Sequence, residues 1–97
     1  MEKMSLADFS RITGILEADL KGRSRTEKVA VAREMYWIYL NYRGMGYRRI
    51  SQWDGRKPET ILSGIRTVRN LIETNHPLVE PYKEVEQLKE VFESLSY

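Results

Sequence analysis

The 97-residue chain has no cysteine and a single histidine, His76. Disulfides and thiolate metal sites are therefore excluded, and a zinc site would need an unusual set of carboxylates. Neither a metal nor a cofactor is expected. Long apolar runs are also missing. Nothing approaches the about 18 consecutive apolar residues of a membrane span, and Met1-Glu2-Lys3-Met4 opens no apolar stretch of the signal-peptide kind. No membrane association is expected, and a cytoplasmic location is the default. Sustained period-two alternation, the mark of a half-buried strand, is absent. The six glycines are scattered singly, which rules out a Gly-x-x-x-x-Gly-Lys-Ser/Thr phosphate loop and ATP hydrolysis through one. No carboxylate pair combines a defined pocket with a nucleophile, base and orienter arrangement, so an enzyme is not expected.

What is present is the composition of a folded domain: 41% apolar and 31% charged residues. The length allows one domain with one modest core, spanning 1–97. The net charge of +2 hides a sharp division. From Lys21 to Arg69 twelve basic residues face four acidic ones, a net +8, and the flanks carry a compensating −6. A basic middle between acidic ends predicts a face for a polyanion.

Glycine, proline and charge divide the chain into helical segments, predicting an all-α bundle of five to six helices. Leu6, Phe9 and Ile12 share one face of a first helix closed by Gly14. Glu17 to Leu20 read as a single turn. The basic stretch Lys21-Gly22-Arg23-Ser24-Arg25 runs into a helix start, with Ser24 and Glu27 at capping-box spacing. The long helix that follows, about Thr26 to Tyr42, is apolar over a wide arc and suits a bundle's centre. Its aromatics Tyr36, Trp37, Tyr39 and Tyr42, with Tyr47 beyond, have the helical spacing of core residues. Gly44 and Gly46 end it. A short helix, about Tyr47 to Trp53, leads through Asp54-Gly55-Arg56 to Pro58, which fits a first helical position. The next helix turns Ile61, Ile65, Val68 and Ile72 inward. After Asn75-His76-Pro77, with His76 read as a loop residue, an amphipathic helix at about 78–95 carries Tyr82, Val85, Leu88, Phe92 and Leu95 on one side and mostly acids on the other.

A short helix, a glycine-containing turn and a second helix opened by basic residues is the sequence form of a helix-turn-helix. The reading residues would be Arg56, Lys57, Pro58, Glu59 and Thr60. Arg56 and Lys57 can read guanine O6 and N7, and Thr60 can touch a thymine methyl. Glu59 either accepts from cytosine N4 or only complements the positive end of its helix. The loop Lys21 to Arg25, with Lys21, Arg23 and Arg25, adds charge beside it. So do Arg48 and Arg49 at the start of the preceding helix, as phosphate contacts.

These elements together resemble the C-terminal DNA-binding domain (domain IV) of the bacterial replication initiator DnaA, a Trp repressor-like helical fold. The matching residues are Ala18-Asp19-Leu20, the loop Lys21 to Arg25, Val31-Ala32-Arg33-Glu34-Met35-Tyr36, Tyr47-Arg48-Arg49-Ile50-Ser51 and Trp53-Asp54-Gly55-Arg56-Lys57-Pro58-Glu59-Thr60-Ile61. The firm match covers 18–72. The resemblance implies that Arg25 enters the minor groove, that Arg33 contacts DNA, that Arg56 is the recognition-turn arginine and that Thr60 reaches the major groove. It also implies that Trp53 is a core aromatic. Lys57, Pro58 and Glu59 replace the family's Asp, His and Ser/Thr at the base-reading positions. Selection of a site other than the DnaA box is expected, with a G/C-leaning core. Glu34 replaces a glutamine, Arg48 replaces a proline, and Met35 to Gly55 is about two residues shorter than in the family.

The expected function is sequence-selective binding of double-stranded DNA, in replication control or in transcription of an accessory or mobile element, with a nucleoid-associated location. Two other classes stay open. One is a helical protein–protein adaptor whose acidic C-terminal helix docks a protein partner or dimer mate. The other is single-stranded nucleic-acid binding through the aromatic residues. Whether the chain is a free-standing DnaA-like domain or a piece cut from a longer protein also stays open.

Overall fold

A serine begins the first helix and a glycine ends it. The Ser5 hydroxyl accepts the Asp8 backbone N–H, giving the first turn a partner it otherwise lacks, and Gly14 stops helix α1 (Leu6–Thr13) at a φ of +76°. The computed structural model describes residues 3–24 and 26–95. Four further helices follow: α2 (Glu17–Lys21), α3 (Glu27–Tyr42), α4 (Tyr47–Asp54) and α5 (Pro58–Glu73). Two 3-10 segments, Pro77–Glu84 and Glu86–Leu88, lead to α6 (Lys89–Leu95). The described residues contain no strand.

Helix α3 is the centre of the molecule. Val31, Ala32, Met35, Tyr36, Trp37, Ile38, Tyr39 and Leu40 are all buried on it, the wide apolar arc that the sequence predicts. Its two inward tyrosines do not strand their hydroxyls. Tyr36 donates to the Met4 carbonyl at 2.9 Å, while the Met4 N–H donates to the Tyr39 hydroxyl at 2.7 Å, which fastens the start of the chain to the core. Helix α5 lies along α3 and inserts Ile61, Ile65, Val68 and Ile72. The approach is close because residue 64 is glycine: a Cβ there would sit 2.5 Å from the buried Trp37 ring.

Several expectations change here. The Ser24–Glu27 capping box does not form, because α3 begins at Glu27 with Thr26 as its N-cap; Ser24 Oγ instead lies 2.9 Å from Thr26 Oγ1. Ile12, Tyr42 and Trp53 are exposed rather than core, and the buried tryptophan is Trp37. Trp53 sits at the rim of α4, with one side on the Tyr36 ring at 5.8 Å and Lys21 Nζ 4.5 Å from its centroid.

The single amphipathic helix expected at about 78–95 is two 3-10 segments and a short α6. Pro81 explains the difference. Inside an α-helix it would offer no N–H and would press its ring on the carbonyl of Pro77. The tighter 3-10 winding still buries Val79, Tyr82 and Leu88, and α6 adds Val91 and Phe92. His76 is the N-cap of the first segment, its Nδ1 accepting the Leu78 N–H at 3.1 Å.

Candidate nucleic-acid interface

Helix α4 stops at Gly55, whose φ of +90° suits a residue without a Cβ. Pro58 then starts α5 with Lys57 as N-cap. Ser51, buried on α4, donates through its hydroxyl to the Arg56 carbonyl and closes the turn from below. The first turn of α5 thus presents Lys57, Glu59 and Thr60 to solvent, all three exposed.

Of the cations that sequence nominates, five have exposed side chains among the described residues: Lys21, Arg23, Arg48, Arg49 and Lys57. Lys21 rests over Trp53. Arg48 leans on its neighbour Tyr47, and the hydrogen bond it donates to that hydroxyl raises the guanidinium's pKa, with a smaller contribution from Glu59. Glu59 therefore faces Arg48 across a groove shared by α4 and α5, in addition to lying in the first turn of α5. Arg25, the expected minor-groove residue, lies outside the described residues.

Arg33 and Arg56 differ from the other five in that their guanidinium groups turn inward onto backbone carbonyls. Arg33 is 9% exposed. Its Nε donates to Leu20 O at 2.8 Å, and its Nη2 to Asp19 O at 2.8 Å and Gly22 O at 3.2 Å. Nη1 reaches Ser24 O at 3.3 Å. Four of the five guanidinium N–H groups are thus committed to carbonyls at the end of α2 and in the loop, where a helix leaves its acceptors unmatched. Burial first, and then the nearby Arg56 charge, lower its pKa from the ordinary value. Arg56 pairs with Asp54 at 2.6 Å, donates to the Gly22 carbonyl and stacks 5.6 Å from the Trp37 centroid. Trp37 Nε1 makes a long contact to the other Asp54 oxygen, at 3.5 Å.

Between α3 and the start of α5 runs a polar cleft lined by Arg33, Glu34, Trp37, Arg56, Glu59, Thr60 and Ser63, among others. Burial pushes the Glu34 carboxyl up to about 7, against the opposing pull of Arg33. Sequence reading missed Asp54, Glu34 and Gly64 as parts of this region. A glycine in the middle of a good helical pattern was the available signal for Gly64, since it costs about 1 kcal/mol relative to alanine and asks for a packing reason. For Asp54 the signal was a carboxylate two residues before an arginine across a turn.

On the opposite side of α3 an apolar groove opens between α1 and the first 3-10 segment, lined by Ile12, Ile15, Lys28, Val31, Leu78 and Tyr82 among others. No helix of the described residues is long and apolar enough to cross a membrane, and no group of three His, Asp or Glu among them could hold a metal ion. Comparison of the chain with family models, with curated proteins and with solved structures returns no match.

Proposed function

We propose that the chain is a binding module for duplex DNA and not an enzyme. In this reading α4, the Gly55–Lys57 turn and α5 act as a helix-turn-helix, with the first turn of α5 in the major groove and the basic loop at 21–25 beside it. The observation that carries the reading is the meeting of two basic segments that are far apart in sequence. The loop carbonyl of Gly22 accepts from Arg56 of the turn, which joins the loop that carries the exposed Lys21 and Arg23 to the turn that carries the exposed Lys57. Arg48 and Arg49 extend the same cationic region along α4. Phosphates supply most of the affinity in such complexes, and exposed cations at several points are what they need. The order of elements that resembles DnaA domain IV supports the same reading, with altered residues at 57–59 and hence a different target site.

A titration of labelled duplex at two salt concentrations tests the proposal. Binding that weakens steeply between about 50 and 200 mM salt, as release of counterions from several phosphates requires, supports it. Absence of binding at low salt overturns it, and tighter binding to single strands than to duplex replaces it with the single-strand reading.

A further inference from the structure

One backbone oxygen, that of Gly22, receives two arginines from two different regions of the chain. Arg33 Nη2 approaches it at 3.2 Å from α3, and Arg56 Nη2 donates to it from the α4–α5 turn. Arg56 is in turn held by Asp54, whose side chain is 3% exposed, so that the fork of the guanidinium spans a carboxylate on one side and the loop on the other. Gly22 is fitted to this joint. A Cβ at that position would lie 2.6 Å from the Ala18 carbonyl of α2, and the loop would have to move away.

We infer that Arg33 and Arg56 are positioning residues that weld the Lys21–Ser24 loop to the α4–α5 turn, so that both basic segments meet duplex DNA as one preset surface. The inference rests on the DNA reading above and gives Arg33 and Arg56 a different role within it. A loop with two glycine-flanked cations would otherwise have to be ordered at the moment of binding, and that ordering would be subtracted from the affinity. With the loop already fixed, the spacing between Lys21 or Arg23 and Lys57 is set before DNA arrives. Such fixed spacing favours one groove geometry over others and so contributes to selectivity. Lysine cannot replace either arginine, because a single ammonium on a flexible stem lacks the planar fork that reaches two acceptors at once.

The test is Arg56→Lys in the full chain, which keeps the charge and removes the fork, with Arg33→Lys as a second variant and Asp54→Asn as a third route to the same joint. A duplex selected by the wild type from a random pool serves as the specific probe and an unrelated duplex as the non-specific one. The expected result is a roughly tenfold weaker specific complex, as loss of preorganisation predicts. Non-specific affinity and the salt slope should stay unchanged. Backbone order parameters of residues 22–24 fall in the same variant, from values near about 0.85 towards the flexible range below about 0.6, while melting and helical content report that the fold is intact. A role in stability alone would leave the ratio of specific to non-specific affinity where it was.

Two outcomes overturn the inference while leaving DNA binding in place. One is loss of discrimination at a single base pair with the loop order intact, which makes Arg56 a reader. The other is an Arg56→Gln variant with a salt slope lower by about one and an ordered loop, which makes Arg56 a phosphate contact. A variant indistinguishable from wild type in every readout also overturns it. A wild type that binds no duplex removes the DNA reading and the positioning role with it, and is told apart because the loop measurement needs no DNA.

Discussion

The α4–α5 region and the Pro77–Leu95 segment both bury regularly spaced apolar side chains, yet one does so on a 16-residue α-helix and the other on 3-10 turns and a seven-residue α-helix. Proline is present in both. At Pro58 it occupies the first position of α5, where its missing N–H has no partner to lose and its fixed φ suits the helix. At Pro81 it falls inside the segment, where the same two properties prevent an α-helix. The charge differs as sharply: exposed cations surround the start of α5, whereas Glu80, Glu84, Glu86, Glu90 and Glu93 are exposed on the last segment. One region is a regular scaffold that displays charge. The other closes the core from outside with short 3-10 segments and the seven-residue α6.

If the last segment closes the core, Leu88 should matter as much as any residue of α5. It is fully buried although it belongs to a 3-10 turn. Leu88→Ala should lower the free energy of unfolding by about 2–5 kcal/mol, the range for a buried leucine that leaves a cavity, measured by urea denaturation. A loss under about 1 kcal/mol would make the segment a loosely attached tail and break the comparison.

Next in size is Gly64→Ala on the scaffold side. The new Cβ would meet the ring of Trp37, which is 3% exposed and enclosed by α5, so helix and ring must separate. A destabilisation of about 1–3 kcal/mol is expected, as for other overpacked sites, despite alanine's better helix propensity. Gly46→Ala is the control. Nothing lies within 4 Å of a Cβ there and its φ is −66°, so that variant meets no clash and should lose only the advantage of glycine over alanine at the N-cap of α4, a smaller loss than at Gly64.

How much of this was legible in the sequence follows the same division. Helices α1 and α4 and the start of α5 could be bounded closely, because Gly14, Gly55 and Pro58 punctuate a clean apolar period. The last segment departs from the expected helix because its apolar spacing is helical while Pro81 inside it excludes a continuous α-helix. In the candidate site the exposed cations were legible one by one as charge on a predicted surface. The inward turn of Arg33 and Arg56 was not, because it depends on the carbonyls of Asp19, Leu20 and Gly22, and backbone acceptors leave no mark in a sequence. Trp37 is buried as its helical spacing predicts, whereas Trp53, a core residue only by the family resemblance, lies exposed at the rim of α4.

The charge contrast has its own test. Arg48 is exposed in the cationic region, so Arg48→Ala should reduce the slope of log affinity against log salt by about one and weaken all duplexes to a similar extent. Glu90→Gln, on the acidic segment, should leave that slope unaltered. Equal effects from the two variants would mean that binding responds to overall charge and not to a face.

The smallest effect concerns Glu34, at the edge between α3 and α5. In the folded chain burial raises its pKa from the ordinary 4.5 to about 7, so the fold favours the protonated carboxyl. A raised folded pKa contributes stability that is fully present below the unfolded value and is lost as pH rises through the folded one. The loss should therefore run from about pH 4.5 to about pH 7 and then level off. Of the charged groups lining the cleft, Arg33 opposes the shift by favouring the carboxylate; Arg56 and Glu59 also border it. The side chain keeps partial access to water, which weakens the effect further. Glu34→Gln carries a neutral group of nearly the same shape into the same cleft. Urea denaturation of both proteins at several values between pH 5 and pH 8 should show the variant gaining on the wild type as pH rises, and the difference should become constant above about pH 7. Parallel curves across that range would mean that Glu34 is ionised throughout, as an exposed carboxylate is, and that α3 and α5 do not meet closely enough at Gly64 to keep water from it.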